Sequence, residues 1–277
     1  MTLTQESFSF VATLVRQKSA INLAPGKEYL VESRLTPIAR SHGKTVEQYL
    51  AEQRARLSHT EAERIVEALT TNETSWFRDS QPFVALTDHI LPELKQQRGL
   101  LATLKVWSAA CSTGQEPYSI GMVLTDYFAS QPGPRPVTEI IATDLSQEVL
   151  ERAQKGRYSQ LEVNRGLPAT HLVRHFERSG TEWALNQAIR QMVRFQRHNL
   201  LDSPPAGGPY DVVFLRNVLI YFDVQVKREV LAKIRKVLKP GGFLILGAAE
   251  TTVGVDDAWT RVQVGRSSIY QNTVGKK

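Results

Sequence analysis

An α/β fold is predicted: a doubly wound, mostly parallel sheet, preceded by a small all-helical domain and interrupted by a small antiparallel β insertion. Three observations carry it. Lys105 to Ser119 reads K-V-W-S-A-A-C-S-T-G-Q-E-P-Y-S, an apolar strand that breaks into small residues and then opens a helix. That is the local geometry of a nucleotide-type cofactor site. A second apolar run, Val137 to Thr143, ends in Asp144, where such a sheet places a carboxylate for ribose hydroxyls. Before about residue 71 apolar residues recur only at helical spacing, with no strand pattern.

The elements follow in order. Phe8, Val11, Ala12, Leu14 and Val15 mark a first helix. Leu30, Val31, Leu35 and Ile38 mark a second, with Pro37 as a kink or an end. Val46, Tyr49 and Leu50 make a short third, and Ser58-His59-Thr60-Glu61 is a capping-box pattern ahead of Ile65, Val66 and Leu69. A connector, N-E-T-S-W-F-R-D-S over residues 72–80, leads into a helix through Phe83, Leu86, Ile90 and Leu94. The cofactor strand and its helix come next, with Pro117 at an early helical position where its missing N–H costs nothing. Ser146 caps the helix after the second strand.

Residues 157 to 198 break the βα rhythm. Ser179-Gly180-Thr181 turns a hairpin between strand-like pieces near Phe176 and Trp183 to Leu185, and Val193 and Phe195 alternate with Arg194 and Gln196. The whole stretch reads as the antiparallel insertion. D-V-V-F-L-R, Asp211 to Arg216, is a central buried strand, and a helix runs from Val226 to Leu238. Lys239-Pro240-Gly241-Gly242 stops that helix and turns into the strand Phe243 to Gly247, and Arg261 to Val264 with Ser268 to Gln271 form an edge hairpin. The domain boundaries are then 1–71 for the helical part, 72–93 for the connector and its helix, and 94–277 for the α/β domain with its insertion at about 157–198.

Composition bounds the function. The 277 residues are 42% hydrophobic, enough for a packed core. The longest apolar run, Phe243 to Ala249, is far short of the ~20 residues a membrane span needs. The chain opens without a charged and apolar leader, so it reads as cytosolic and not membrane-inserted. With Cys111 as the one cysteine, an intramolecular disulfide is impossible, a zinc–cysteine cluster is not expected, and no metal is assigned. The net charge of +6 suits an acidic partner, nucleic acid or an acidic protein surface, or merely a soluble basic surface.

Residue by residue, each signal leaves an alternative. The loop at Cys111 is also an ordinary βα turn, and Asp144 also reads as a helix cap. The K-P-G-G turn is frequent in S-adenosylmethionine-dependent methyltransferases but weak alone. Taken in order, however, the motifs resemble one family over residues 1 to about 271: the chemotaxis receptor glutamate O-methyltransferases, CheR-type. Thr71 to Arg78, T-N-E-T-S-W-F-R, resembles its T-N-x-T-x-F-F-R signature, and Cys111 to Ser119, C-S-T-G-Q-E-P-Y-S, its C-S-T-G-E-E-P-Y-S loop. Ala142-Thr143-Asp144, Gly156-Arg157-Tyr158, Asn199-Leu200-Leu201 and Arg216 to Asp223, R-N-V-L-I-Y-F-D, match further motifs in sequence. Departures are mild: Ala110 stands where many members have Gly, Gln115 replaces a Glu, and Trp76 a Phe.

The resemblance implies a Rossmann-like S-adenosylmethionine methyltransferase domain. It implies that Asn72, Thr74 and Arg78 reach the cofactor site from the connector, and that Glu116 with the Ala109–Ala110 turn holds the methionine end. Asp144 takes the ribose, and Asn199, Leu200, Arg216 and Asn217 line the adenine and methionine sides. Arg78 and Tyr221 are the expected catalytic residues; without the family they read as a surface ion pair and a core aromatic. The implied reaction esterifies glutamates on the cytoplasmic helical bundle of a chemoreceptor, with S-adenosylhomocysteine as product. A glutamate ionises with a pKa of about 4.3, so its carboxylate needs no general base at pH 7.

Lys27, Arg34, Arg40 and Lys44 offer a docking face for acidic helices, or a merely solvated one. In this family the antiparallel insertion can hold a receptor's C-terminal pentapeptide as an added strand. Members that depend on it carry a longer, Gly-rich turn than Arg178 to Glu182, so this chain is expected not to depend on the pentapeptide. A nucleic-acid methyltransferase and an S-adenosylmethionine-binding regulatory module without transfer activity are the competing readings. Against the first, Ser203-Pro204-Pro205-Ala206 lacks the aromatic residue of an amino-group methylator and precedes the fourth strand.

Overall fold

A computed structural model describes residues 3–99 and 102–273. By its contacts the chain divides into two units, residues 1–71 with 221–226, and residues 72–220 with 227–277. The return of residues 221–226 to the helical unit departs from the expectation of an uninterrupted α/β domain.

The helical unit is built from α1 (Gln5–Ser19), α2 (Glu28–Ser41), α3 (Val46–Ala55) and α4 (His59–Leu69). Thr4 caps α1 by accepting from the Ser7 N–H, and the helix buries Phe8, Val11, Leu14 and Val15 on one face. Pro37 does not end α2, which runs on to Ser41. Val31, Leu35 and Ala39 form a buried i, i+4 stripe that outweighs one lost backbone bond. The Ser33 carbonyl left by that loss lies on an exposed residue, where water serves it. The box expected at Ser58 is half made. Ser58 Oγ accepts from the Glu61 N–H at 3.1 Å, but the Glu61 carboxylate takes the Tyr49 hydroxyl at 2.5 Å instead.

The second unit begins with α5 (Gln81–Ala85), a π turn over Leu86–Ile90, and α6 (Leu91–Arg98). Pro92 explains the π turn, because its missing N–H cannot continue an α ladder. Then come β1 (Thr103–Ala109), α7 (Gln115–Ser130), β2 (Val137–Asp144) and α8 (Gln147–Lys155). The insertion holds β3 (Arg157–Ser159), α9 (Gln160–Val163), α10 (Ala169–His175), β4 (Phe176–Ser179), β5 (Glu182–Leu185) and α11 (Gln187–Gln191). The chain returns through β6 (Val193–Arg197), β7 (Tyr210–Leu215), α12 (Val224–Val237), β8 (Leu238–Leu246), β9 (Thr260–Val264) and β10 (Ser267–Gln271).

The main sheet has the order β6-β2-β1-β7-β8-β10-β9. β6, β2, β1, β7 and β8 run parallel, and β10 is antiparallel to both β8 and β9. This is the doubly wound sheet with an edge hairpin. Chain order reverses between β1 and β7, so the crevice beyond their carboxyl ends is the place for a ligand. The expected insertion is corrected at its end. Val193–Arg197 pairs parallel with β2, from Ile140 to Asp144, and so belongs to the main sheet. The antiparallel sheet is only β3-β5-β4.

Trp76 ties the connector to that small sheet. It is buried, with Tyr158 and Phe176 edge-on at ring-centroid distances of 4.8 and 5.3 Å. Its N–H donates to the Arg165 carbonyl at 3.0 Å. The next residue is Gly166, at φ 93°, and a Cβ there would lie 2.3 Å from the Trp76 carbonyl oxygen. Gly166→Ala therefore forces two backbones apart. It should cost about 2 kcal/mol or more in denaturant unfolding. Gly180→Ala in the β4–β5 turn, also left-handed at φ 63° but with nothing within 4 Å, should cost only about 1 kcal/mol of backbone strain. Equal losses would show that the Trp76–Arg165 clasp yields freely.

Candidate active site

The site is assembled from the carboxyl ends of β1, β2, β6, β7 and β8. After β1 the chain turns through Ala110, Ser112 and Gly114 with φ of 62°, 50° and 93°, a left-handed series that folds the loop back on itself. Cys111 N–H donates to the Thr143 carbonyl at 2.8 Å, pinning the loop to β2. The Tyr158 hydroxyl donates to the Thr113 carbonyl at 2.8 Å. A Cβ at Gly114 would lie 3.0 Å from that hydroxyl, so glycine is required both for conformation and for space.

Asp144 is buried at the end of β2. Its carboxylate accepts from the Ser112 N–H at 2.8 Å and the Ser146 N–H at 3.0 Å. Ser146 itself caps α8 by accepting from the Val149 N–H, so Asp144 is not the cap but the brace behind it. The Asp144 carbonyl accepts from the His198 N–H at 2.9 Å, which brings Asn199 and Leu200 to the same end of the sheet. Asn199 Oδ1 accepts from the Leu201 N–H at 3.0 Å.

Arg216, at the end of β7, has a side chain only 1% exposed. It donates to Glu116 on α7 at 2.9 Å, to Asp79 of the connector at 2.8 Å and to the Arg78 carbonyl at 2.7 Å. Its Nε has no hydrogen-bond partner. Ser108 Oγ donates to the other oxygen of Glu116 at 2.8 Å. The connector that meets this guanidinium is strained: Phe77, Asp79 and Ser80 have φ of 47°, 62° and 38°. Such non-glycine outliers persist only where their surroundings hold them. Arg78 donates to the Glu73 carbonyl at 3.1 Å.

Asn72 and Thr74 line, with Thr113, Gln115, Glu148 and Arg152, a cavity of about 350 Å³. The Asn72 carbonyl accepts from Ser112 Oγ at 2.7 Å, which joins connector and loop directly. Asn217 sits left-handed at φ 59°. One oxygen of Glu250 accepts from its N–H at 2.7 Å and from Gly247 N–H at 2.8 Å, the other from Val218 N–H at 2.9 Å. Tyr221 closes a 3₁₀ turn, Leu219–Tyr221, and groups with the helical unit, where its carbonyl accepts from the Asn22 N–H at 3.1 Å.

The sequence reading passed over Asp79 and Glu250. Asp79 has a signal in hindsight, as the residue after Arg78 in a connector otherwise short of charge partners. Glu250 has none, because its four backbone partners are set by the fold alone. Chemically, the carboxylates of Asp79, Glu116 and Asp144 outnumber the one buried guanidinium, a donor set that fits a cationic ligand. Burial pushes the Cys111 thiol well above its ordinary range, and Asp144 and Glu116 add to it. That thiol is held neutral and is no nucleophile.

Residues 72–267 match the family described as CheR methyltransferase, SAM binding domain, and residues 6–70 the CheR methyltransferase all-alpha domain. The chain is 42% identical over 272 residues to chemotaxis protein methyltransferase Cher2 of Pseudomonas putida, covering 95% of this chain and 97% of that one. It is 40% identical over 277 residues to chemotaxis protein methyltransferase 1 of Pseudomonas aeruginosa, covering 98% and 99%. It is 36% identical over 256 residues to the chemotaxis protein methyltransferase of Escherichia coli, covering 90% and 86%.

Ala110 holds a left-handed conformation that penalises any Cβ. Ala110→Gly should raise the stability of the chain by up to about 1 kcal/mol in denaturant unfolding, since relief of the strain exceeds the added freedom of the unfolded glycine. A loss of stability would show that the Ala110 methyl packs more than its backbone strains.

Proposed function

The chain belongs to the CheR methyltransferase family, and on that premise we propose that it esterifies glutamate side chains on the cytoplasmic helices of a chemoreceptor. It is a methyltransferase whose cofactor is S-adenosylmethionine. The observation that carries the proposal is the carboxylate-rich crevice at the switch point, built on the family's own motifs. When bound, S-adenosylmethionine supplies a methyl group made electrophilic by its sulfonium.

In this reading the protein positions and desolvates. Asp144, fixed by two backbone N–H groups, accepts from the ribose. Asn199 and Leu200 border the adenine. Glu116 and the Ala109–Ala110 turn take the methionine end, with Asn72, Thr74 and Asn217 around it. Arg216 holds the Glu116 carboxylate in place through a charge-assisted hydrogen bond. Arg78 orients the incoming glutamate in a bidentate fork, and Tyr221, assigned from the R-N-V-x-I-Y-F-D motif, donates to the same carboxylate or borders the methyl group. An anion approaches a cation and both charges vanish in the product, so exclusion of water favours the step.

For the receptor surface, Lys27 and Arg40 are exposed. Arg34 is committed to the Thr70 carbonyl and Thr71 hydroxyl, and Lys44 to Glu52. Lys27 and Arg40 are therefore the better supported half of the docking face, with Arg34 and Lys44 shaping it. The β4–β5 turn is only Gly180 and Thr181 between paired Ser179 and Glu182, which supports independence from a C-terminal receptor pentapeptide.

Incubation with methyl-labelled S-adenosylmethionine and a receptor cytoplasmic fragment should give base-labile label on that fragment. Label on RNA instead, or on nothing, would overturn the proposal. Asp144→Ala should weaken cofactor binding by roughly 1.5–3 kcal/mol in calorimetry. Arg78→Ala and Tyr221→Phe should lower turnover at saturating cofactor while changing cofactor affinity little; wild-type turnover in either folded variant removes that residue from catalysis.

Pentapeptide titrated into the full chain should show no saturable binding at low micromolar concentration. Saturation there, lost on changing Ser179 to Trp183, would mean that the short turn still grips the peptide.

A further inference from the structure

α7 and α10 bring together three side chains that the methyl-transfer reading leaves unused: Asp126, His171 and His175. We propose that Asp126, His171 and His175 form a binding site for a divalent transition-metal ion of the zinc class. Their ligand atoms all lie within 4.8 Å of one another. His171 Nδ1 stands 3.5 Å from one Asp126 oxygen, and His175 Nε2 stands 3.6 Å from the other. Ligand atoms bound at 2.0–2.2 Å around a tetrahedral zinc are roughly 3.3 Å apart; the His171–Asp126 pair is already near that spacing, and His175, within 4.8 Å of both, closes on the ion by side-chain rotation.

Two facts favour an ion over an ordinary polar cluster. His171 Nδ1 and His175 Nε2 are both buried from solvent with no hydrogen-bond partner, and His175 as a whole is only 3% exposed. Buried polar atoms left unpaired are costly and uncommon. A metal would satisfy both at once. The two histidines are also four residues apart on one helix, with rings stacked at 5.7 Å, the spacing that lets a helix present a pair of imidazoles to one ion.

Arg174 donates to one Asp126 oxygen at 2.7 Å. Its side chain is mostly exposed, and the second oxygen, the one facing His171, remains for the metal. Arg174 then orients the carboxylate, as hydrogen-bond partners of metal ligands do. Three protein ligands with Asp126 and His171 partly open to solvent leave room for water as a fourth. Imidazole and carboxylate ligands without a thiolate suit Zn²⁺ and its neighbours rather than Mg²⁺ or Ca²⁺. The site is coupled to the connector: His171 stacks on Phe77 at 4.7 Å and 25°, and Phe77 precedes Arg78 and Asp79. An ion here fixes one wall of the strained segment.

The test uses the untagged full chain, stripped with a chelator and desalted. Zn²⁺ titrated against a chromophoric competitor should bind with one equivalent per chain. Thermal unfolding should shift upward with Zn²⁺ and return on chelation. Asp126→Asn and His171→Gln, both at partly exposed positions and checked by circular dichroism, should each bind at least about tenfold more weakly and lose the thermal shift. Co²⁺ in place of Zn²⁺ should give visible bands without thiolate charge transfer, which separates this site from Cys111. Absence of a stoichiometric equivalent, or folded variants that bind as tightly as the wild type, would overturn the assignment.

Discussion

The buried guanidinium of Arg216 is the interaction on which the catalytic half of the chain depends. It joins the end of β7 to the first turn of α7 and to the connector, segments that lie 100 or more positions before it in the chain. A buried ion pair gains little net stability over a well-packed apolar substitute, but losing one partner costs about 3–5 kcal/mol because the other charge is stranded. The network therefore acts mainly as a specification. Only one placement of the connector satisfies Glu116, Asp79 and the Arg78 carbonyl together, and that placement holds three left-handed residues against their own preference. Glu250 does the same for the loop beyond β7, where it takes backbone N–H groups that no sheet or helix could reach.

Strain and small residues gather at this end of the sheet. Ala110, Ser112 and Asn217 are left-handed around the crevice, as are Phe77, Asp79 and Ser80 beside it. Elsewhere among the described residues the only non-glycine residue at positive φ is Ala20. The distribution follows from the architecture: strand ends must release the backbone from the ladder and turn it toward a ligand within one or two residues. A glycine would do so at no steric cost. Here serine, asparagine and aspartate do it while also placing side chains.

Much of this was legible in the sequence because its signals are local. The small-residue loop after Ala109, Asp144 at a strand end, Ser146 as a cap and the edge hairpin near the C-terminus each announce themselves within ten residues. What was misread depends on distant partners. The alternation at Val193 to Arg197 describes a half-exposed edge strand equally well in a small antiparallel sheet or at the rim of the main one, and only β2 decides. Pro37 looked like a helix end because the buried stripe on α2 that carries the helix through it owes its burial to tertiary packing. Asp126 and the two histidines are separated by more than forty residues, so the sequence offered only a histidine pair at helical spacing, and that pair was passed over.

The pairing of β1 has a consequence for synthesis of the chain. β1 is an interior strand of the sheet, bracketed by β2 on one side and by β7, a hundred residues later, on the other. Until Tyr210–Leu215 has emerged, the ladder of Val106 to Ala109 has one edge without its partner. Those residues are wholly buried in the finished protein and, Ser108 apart, apolar, so the waiting edge is the kind that recruits other chains. A ribosome stalled, or a transcript truncated, anywhere between the insertion and β7 releases a chain with an adhesive half-sheet and a helical unit still lacking residues 221–226. The length of the insertion thus sets how long each newborn molecule is exposed to its neighbours.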